Sequence, residues 1–78
     1  MNPDMITTQP YRDFATYADA LRYAATVEDI VDAQFPSRPV WCGHATIERQ
    51  WFRPRVVFTA TSWEWQTEVF KAADKVAP

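Results

Sequence analysis

A single glycine, a single cysteine and a single histidine set the first limits on this 78-residue chain. One thiol, Cys42, cannot close an internal disulfide, which excludes the many-bridged scaffolds typical of small secreted domains. One glycine, Gly43, cannot build a phosphate-cradling loop. The chain has no P-loop, no dinucleotide fingerprint and no Gly-x-Ser-x-Gly elbow. No apolar run approaches the length of a membrane span. The opening Met1-Asn2-Pro3-Asp4 carries neither a basic stretch nor an apolar one, so no signal peptide is read there. These absences predict a protein of a reducing cytoplasm.

What is present is apolar and aromatic. Apolar residues make up 47% and aromatics 15%, with four Trp, three Tyr and five Phe. Large rings fill a core with few residues, so a chain this short can still fold. The sequence predicts one domain over 1–78, with residues 1–10 as a flexible or extended lead-in marked by Pro3 and Pro10.

Net charge is −2 but unevenly placed. Residues 1–36 hold Asp4, Asp13, Asp19, Glu28, Asp29 and Asp32 against Arg12 and Arg22. Residues 37–62 hold Arg38, Arg49, Arg53 and Arg55 against Glu48. An acidic half therefore precedes an arginine-rich middle.

Residues 12–35 lack Gly and Pro. Phe14, Tyr17, Ala18, Leu21, Ala24 and Ala25 recur at helical spacing. That face falters at Glu28 and Asp32, and Thr26-Val27-Glu28-Asp29 resembles a capping box. The reading is one kinked helix, or two short ones meeting near Thr26, the second burying Val27, Ile30, Val31 and Phe35. Pro36 and Pro39 stop it. Residues 40–51 alternate, with Trp41, Gly43, Ala45, Ile47, Arg49 and Trp51 on one face and Cys42, His44, Thr46, Glu48 and Gln50 on the other. This predicts a strand, with Gly43 marking a bulge or a close backbone approach. Phe52-Arg53-Pro54 reads as a turn into a second antiparallel strand over 55–62. Thr61 then reads as the cap of a final helix on which Trp65, Val69, Ala72 and Val76 align; a long strand through Phe70 is the alternative. The fold class is α+β, a small two-layer domain of order αββα.

Cys42 and His44 are the only thiol and imidazole. On one strand they would share a side, about 7 Å apart at Cα. A Cys–His nucleophile pair also needs an orienting group and an oxyanion hole, and no glycine-rich turn or helix start beside them supplies one. Structural zinc needs four ligands, and only this pair is of the usual type. No catalytic residue, metal or cofactor is expected. Trp41, Trp63 and Trp65 read as core, and whichever of Trp63 and Trp65 faces outward is the better interface candidate.

The segment Arg49-Gln50-Trp51-Phe52-Arg53-Pro54-Arg55 carries the strongest signal. Three arginines flank two large aromatics at the tip of a hairpin, and Trp, Tyr and Arg dominate binding hot spots. The competing reading packs Trp51 inward and leaves the arginines as solvent groups. The expected partner-binding set is Arg49, Trp51, Phe52, Arg53 and Arg55, with Asp29 and Asp32 on the acidic helix supplying complementary charge or imitating phosphates. Arginine beside aromatics also fits single-stranded nucleic acid, but the acidic balance argues against it.

In general character the chain resembles small phage- or prophage-encoded inhibitors, including anti-CRISPR proteins. It is short and acidic, lacks a catalytic motif, and sets Trp51, Phe52, Arg53 and Arg55 beside an acidic helix bearing Asp19, Glu28, Asp29 and Asp32. That group shares no common fold or signature, so no residue role carries over. The resemblance implies a monomer or homodimer in the host cytoplasm, away from membranes. It would dock on a bacterial protein complex that handles nucleic acid and block DNA binding or nuclease recruitment. The alternative is a small single-stranded nucleic-acid-binding module using the same hairpin.

Overall fold

The computed structural model describes residues 10–49, 52–60 and 62–76. The chain order is strand β1 (Tyr11–Asp13), helix α1 (Tyr17–Gln34), a 3-10 turn (Val40–Cys42), strands β2 (His44–Arg49) and β3 (Pro54–Thr59), and helix α2 (Trp63–Val76). The order is therefore βαββα, not αββα. The strands form one antiparallel sheet in the order β1-β3-β2.

The extra strand lies where the sequence predicts the start of the helix. Three residues are too few to show an alternating pattern, and β1 is held by long-range contacts. Phe14 donates its N–H to the Pro54 carbonyl at 3.0 Å. Asp13 accepts two bonds from the Arg55 guanidinium, at 2.6 and 3.1 Å. Arg12 reaches across to Asp74 of α2 at 2.7 Å and lies over the Phe70 ring. The proposed lead-in, apart from Pro10, lies outside the described residues.

Helix α1 is N-capped by Thr16, whose hydroxyl accepts from the Asp19 N–H at 3.1 Å. It then runs unbroken through Thr26. Thr26 caps nothing: its hydroxyl donates back to the Arg22 carbonyl within the helix. The buried stripe is Ala20, Tyr23, Val27 and Val31. The face read from Phe14 to Ala25 is thus rotated from the real one, and Tyr17 and Leu21 lie exposed. This explains why Glu28 and Asp32 seemed to interrupt it, since they flank the buried stripe. Beyond Gln34, Phe35 returns its N–H to the Val31 carbonyl, and Pro36 and Pro39 prevent continuation.

The strand expected over 40–51 is shorter because a 3-10 turn replaces its first residues. Gly43 sits between turn and strand with φ at +91°. A Cβ there would collide with the Thr59 carbonyl, so the sequence reading of a close backbone approach holds. The turn also breaks the expected alternation. Cys42 is fully buried, while His44 is exposed on β2. From His44 onward the parity is as read: Ala45 and Ile47 pack toward the core.

Helix α2 settles the choice left open for residues 63–70 in favour of a helix. Its cap is Ser62, which accepts from the Trp65 N–H at 3.2 Å. The residue read as the cap, Thr61, lies outside the described residues. The buried side is Gln66, Val69, Phe70 and Ala73, one position from the face read in the sequence, and Val76 is exposed. Val56 and Phe58 of β3 meet α1 and α2 in one core, with Tyr23 stacked between Phe14 and Phe70.

Candidate functional site

The hairpin β2–β3 pairs Glu48 with Arg55 and Arg49 with Pro54, which puts its described tip residues at Phe52 and Arg53. Side chains alternate across the sheet. Ala45, Ile47 and Arg49 therefore share the helix side, while His44, Thr46, Glu48, Arg55 and Val57 share the open side. Pro54 begins β3 at a place where the ladder asks only for its carbonyl, which Phe14 occupies.

At this end of the sheet, Tyr17, Ile47, Arg49, Arg53 and Pro54 line a hollow of about 380 Å³. That is the size of a small-ligand pocket. Tyr17 opens α1 and is 58% exposed, and Leu21, one turn on, extends the apolar surface at 47%. Phe52, also 58% exposed, lies at the tip with the Arg53 guanidinium 4.8 Å from its ring centroid.

The arginines separate into two groups. Arg12 pairs with Asp74, Arg22 with Asp19, Arg38 with both Glu28 and Asp32, and Arg55 with Asp13. Arg49 and Arg53 pair with no carboxylate among the described residues, and both line the hollow. Among the described residues no acidic side chain lines it. The hollow therefore offers two cations beside an apolar floor.

The expected binding residues are only partly brought together. Arg49, Phe52 and Arg53 share the hairpin end. Trp51 lies outside the described residues. Arg55 is turned away onto the open side, gripped by Asp13, with its guanidinium 3.7 Å from the Tyr11 ring centroid. Those hydrogen bonds from Arg55 hold the Asp13 carboxyl below its ordinary range. Helix α1 runs antiparallel to β2, so Asp29 and Asp32 stand toward the far end. There Asp32 accepts from Arg38 at 2.8 Å, while Asp29 is exposed. Tyr17 was missed as a site residue because its spacing matched the misread core face.

Arg38 closes the far end of the molecule. Its guanidinium reaches Glu28 at 2.6 Å, the Gly43 carbonyl at 3.0 Å and the His44 Nδ1 at 3.1 Å. As Arg38 can only donate, Nδ1 accepts and the ring proton sits on Nε2. The second Glu28 oxygen accepts the Ala45 N–H at 2.6 Å. This cluster fastens α1 to the start of β2. The thiol and imidazole do not meet, because Cys42 lies in the core and His44 faces outward.

A second exposed group lies at the same end. Val40 is 95% exposed, Trp63 53% and Trp41 48%. Trp41 packs edge-on against Phe35, which also meets Trp65, and the Trp65 indole donates to the Cys42 carbonyl at 2.9 Å. Of the tryptophans read as core, Trp65 is half-buried, while Trp63 and Trp41 lie largely at the surface. Among the described residues, no group of three His, Cys, Asp or Glu side chains is placed to hold a metal ion. No helix there is long and apolar enough to cross a membrane. Comparison with protein-family models, curated proteins and solved structures returns no match for this chain.

Proposed function

We propose that this domain is a non-enzymatic binding protein whose hairpin end docks on a partner protein and blocks it sterically. The observation that carries the reading is the hollow where Arg49 and Arg53, the two arginines without a carboxylate partner among the described residues, converge beside Tyr17, Ile47 and Pro54. Unpaired arginines next to exposed aromatics are the usual makings of an interface hot spot. Phe52 adds apolar area at the rim. Arg55 leaves the anchor set proposed from the sequence, since it is spent within the fold. The separation of Cys42 from His44 favours binding over catalysis, because a nucleophile and its base must touch.

The partner class follows from the character of the chain: short, acidic, and similar to phage-encoded inhibitors of the anti-CRISPR kind. A protein complex that handles nucleic acid in the host cytoplasm is the proposed target. The net charge of −2 favours a protein contact over a polyanion. The test is affinity capture with tagged protein from bacterial lysate, with and without nuclease. A defined protein complex that survives nuclease is the expected result. Retention that disappears with nuclease would replace this reading with a single-stranded nucleic-acid module.

A further inference from the structure

The hollow adjoins an open sheet edge. Among the described residues strand β2 pairs with β3 on one side only, so alternate main-chain groups point outward. The Ala45 N–H points away from β3, since Glu28 accepts it. By alternation the N–H and C=O groups of Ile47 and Arg49 point the same way. Neither has a main-chain partner among the described residues. The edge is thus closed at Ala45 by a carboxylate and open at Ile47–Arg49, and the open residues also line the hollow.

Resting on the docking role given to this end, we infer that the site takes an extended acidic peptide segment of the partner. The segment adds as a strand along Ile47–Arg49 and seats a carboxylate between Arg49 and Arg53. Strand addition supplies main-chain bonds, and alternate side chains then fall on the helix side, where the hollow lies. A carboxylate matches two guanidinium groups that have no carboxylate partner among the described residues. Tyr17 and Leu21 give apolar contact to the neighbouring side chains. A nucleic-acid strand could use the cations and accept from an outward N–H, but it lacks the alternating N–H and C=O groups that continue a ladder. A second copy of this chain fits poorly. The antiparallel register that pairs Ile47 with Arg49 and leaves Ala45 to Glu28 sets Glu48 directly opposite Glu48 of the copy.

The test uses a labelled Val-Glu-Val-Glu-Val-Glu peptide, followed by amide chemical shifts and hydrogen exchange on the full chain. Saturable binding with slowed exchange at Ile47 and Arg49 is expected. Arg53→Glu, at an exposed position without an ion pair among the described residues, should weaken binding tenfold or more in a chain that still unfolds cooperatively. The same peptide methylated on alternate backbone nitrogens should not bind. Equal binding by the methylated peptide, still lost in Arg53→Glu, would overturn strand addition while leaving the docking surface in place. Tighter binding of a single-stranded hexanucleotide at the same amides would overturn the peptide assignment. So would protection of Ile47 and Arg49 that rises with protein concentration alone.

Discussion

Arg53 and Arg55 stand two positions apart and do opposite work. Arg55 holds β1 to β3 through two bonds to Asp13, whereas Arg53 faces the hollow and pairs with no acid among the described residues. Arg55→Ala should lower the thermal midpoint, and Arg53→Ala should leave it within error; parallel melting curves separate the two. The sequence could not make this distinction, because both residues belong to one arginine-rich run and β1 was invisible in it. Gly43, by contrast, was legible as an isolated glycine inside an alternating stretch. Its φ of +91° and the Thr59 carbonyl pressed against a would-be Cβ leave no room for a side chain. Gly43→Ala is expected to destabilise the fold by about 1–3 kcal/mol, as backbone strain of this kind does, read from urea unfolding.

Strand β1 is the element most dependent on charge. Asp13 and Asp74, held by Arg55 and Arg12, both have carboxyls shifted below their ordinary range. A carboxyl with a depressed folded value stabilises the fold above its unfolded pKa and loses that contribution as pH falls through the folded one. Stability should therefore hold from neutral pH down to about 4 and fall below it. Asp74→Asn should flatten that acid limb. On the alkaline side, burial pushes the Tyr23 phenol up. Its contribution is complete below about pH 10 and is lost as the pH rises beyond. Strand β2 is guarded differently, by Glu28 on the Ala45 N–H. Glu28→Ala should lengthen the open edge and promote concentration-dependent association, measured by sedimentation; a strictly monomeric variant would show that the carboxylate guards nothing. The hairpin and α2 were readable from period and turn chemistry. The face of α1 was not, because Phe14, Tyr17 and Leu21 are large and helically spaced. What buries Tyr23 and Val27 instead is the position of the sheet, which no local pattern records.

The whole domain is one layer of helices on one face of a three-stranded sheet, with its two ends chemically distinct. The far end is locked by the Arg38 cluster and bears Trp41 and Trp63 at the surface. The hairpin end carries the two arginines that pair with no carboxylate among the described residues. That division was half visible in the sequence as an acidic segment followed by a basic one, yet the fold spends four of its six arginines on internal pairs. Only the structure separates the remaining two. The most direct measurement is affinity capture after nuclease treatment, comparing the natural chain with Arg49→Glu/Arg53→Glu, and with Trp41→Ala/Trp63→Ala as a control at the other end. The expected result is a defined protein complex lost with the arginine pair and kept with the tryptophan pair, each variant still folded at the capture temperature. A complex kept by the arginine variant and lost by the tryptophan variant would contradict the assignment and move the docking surface to the opposite end.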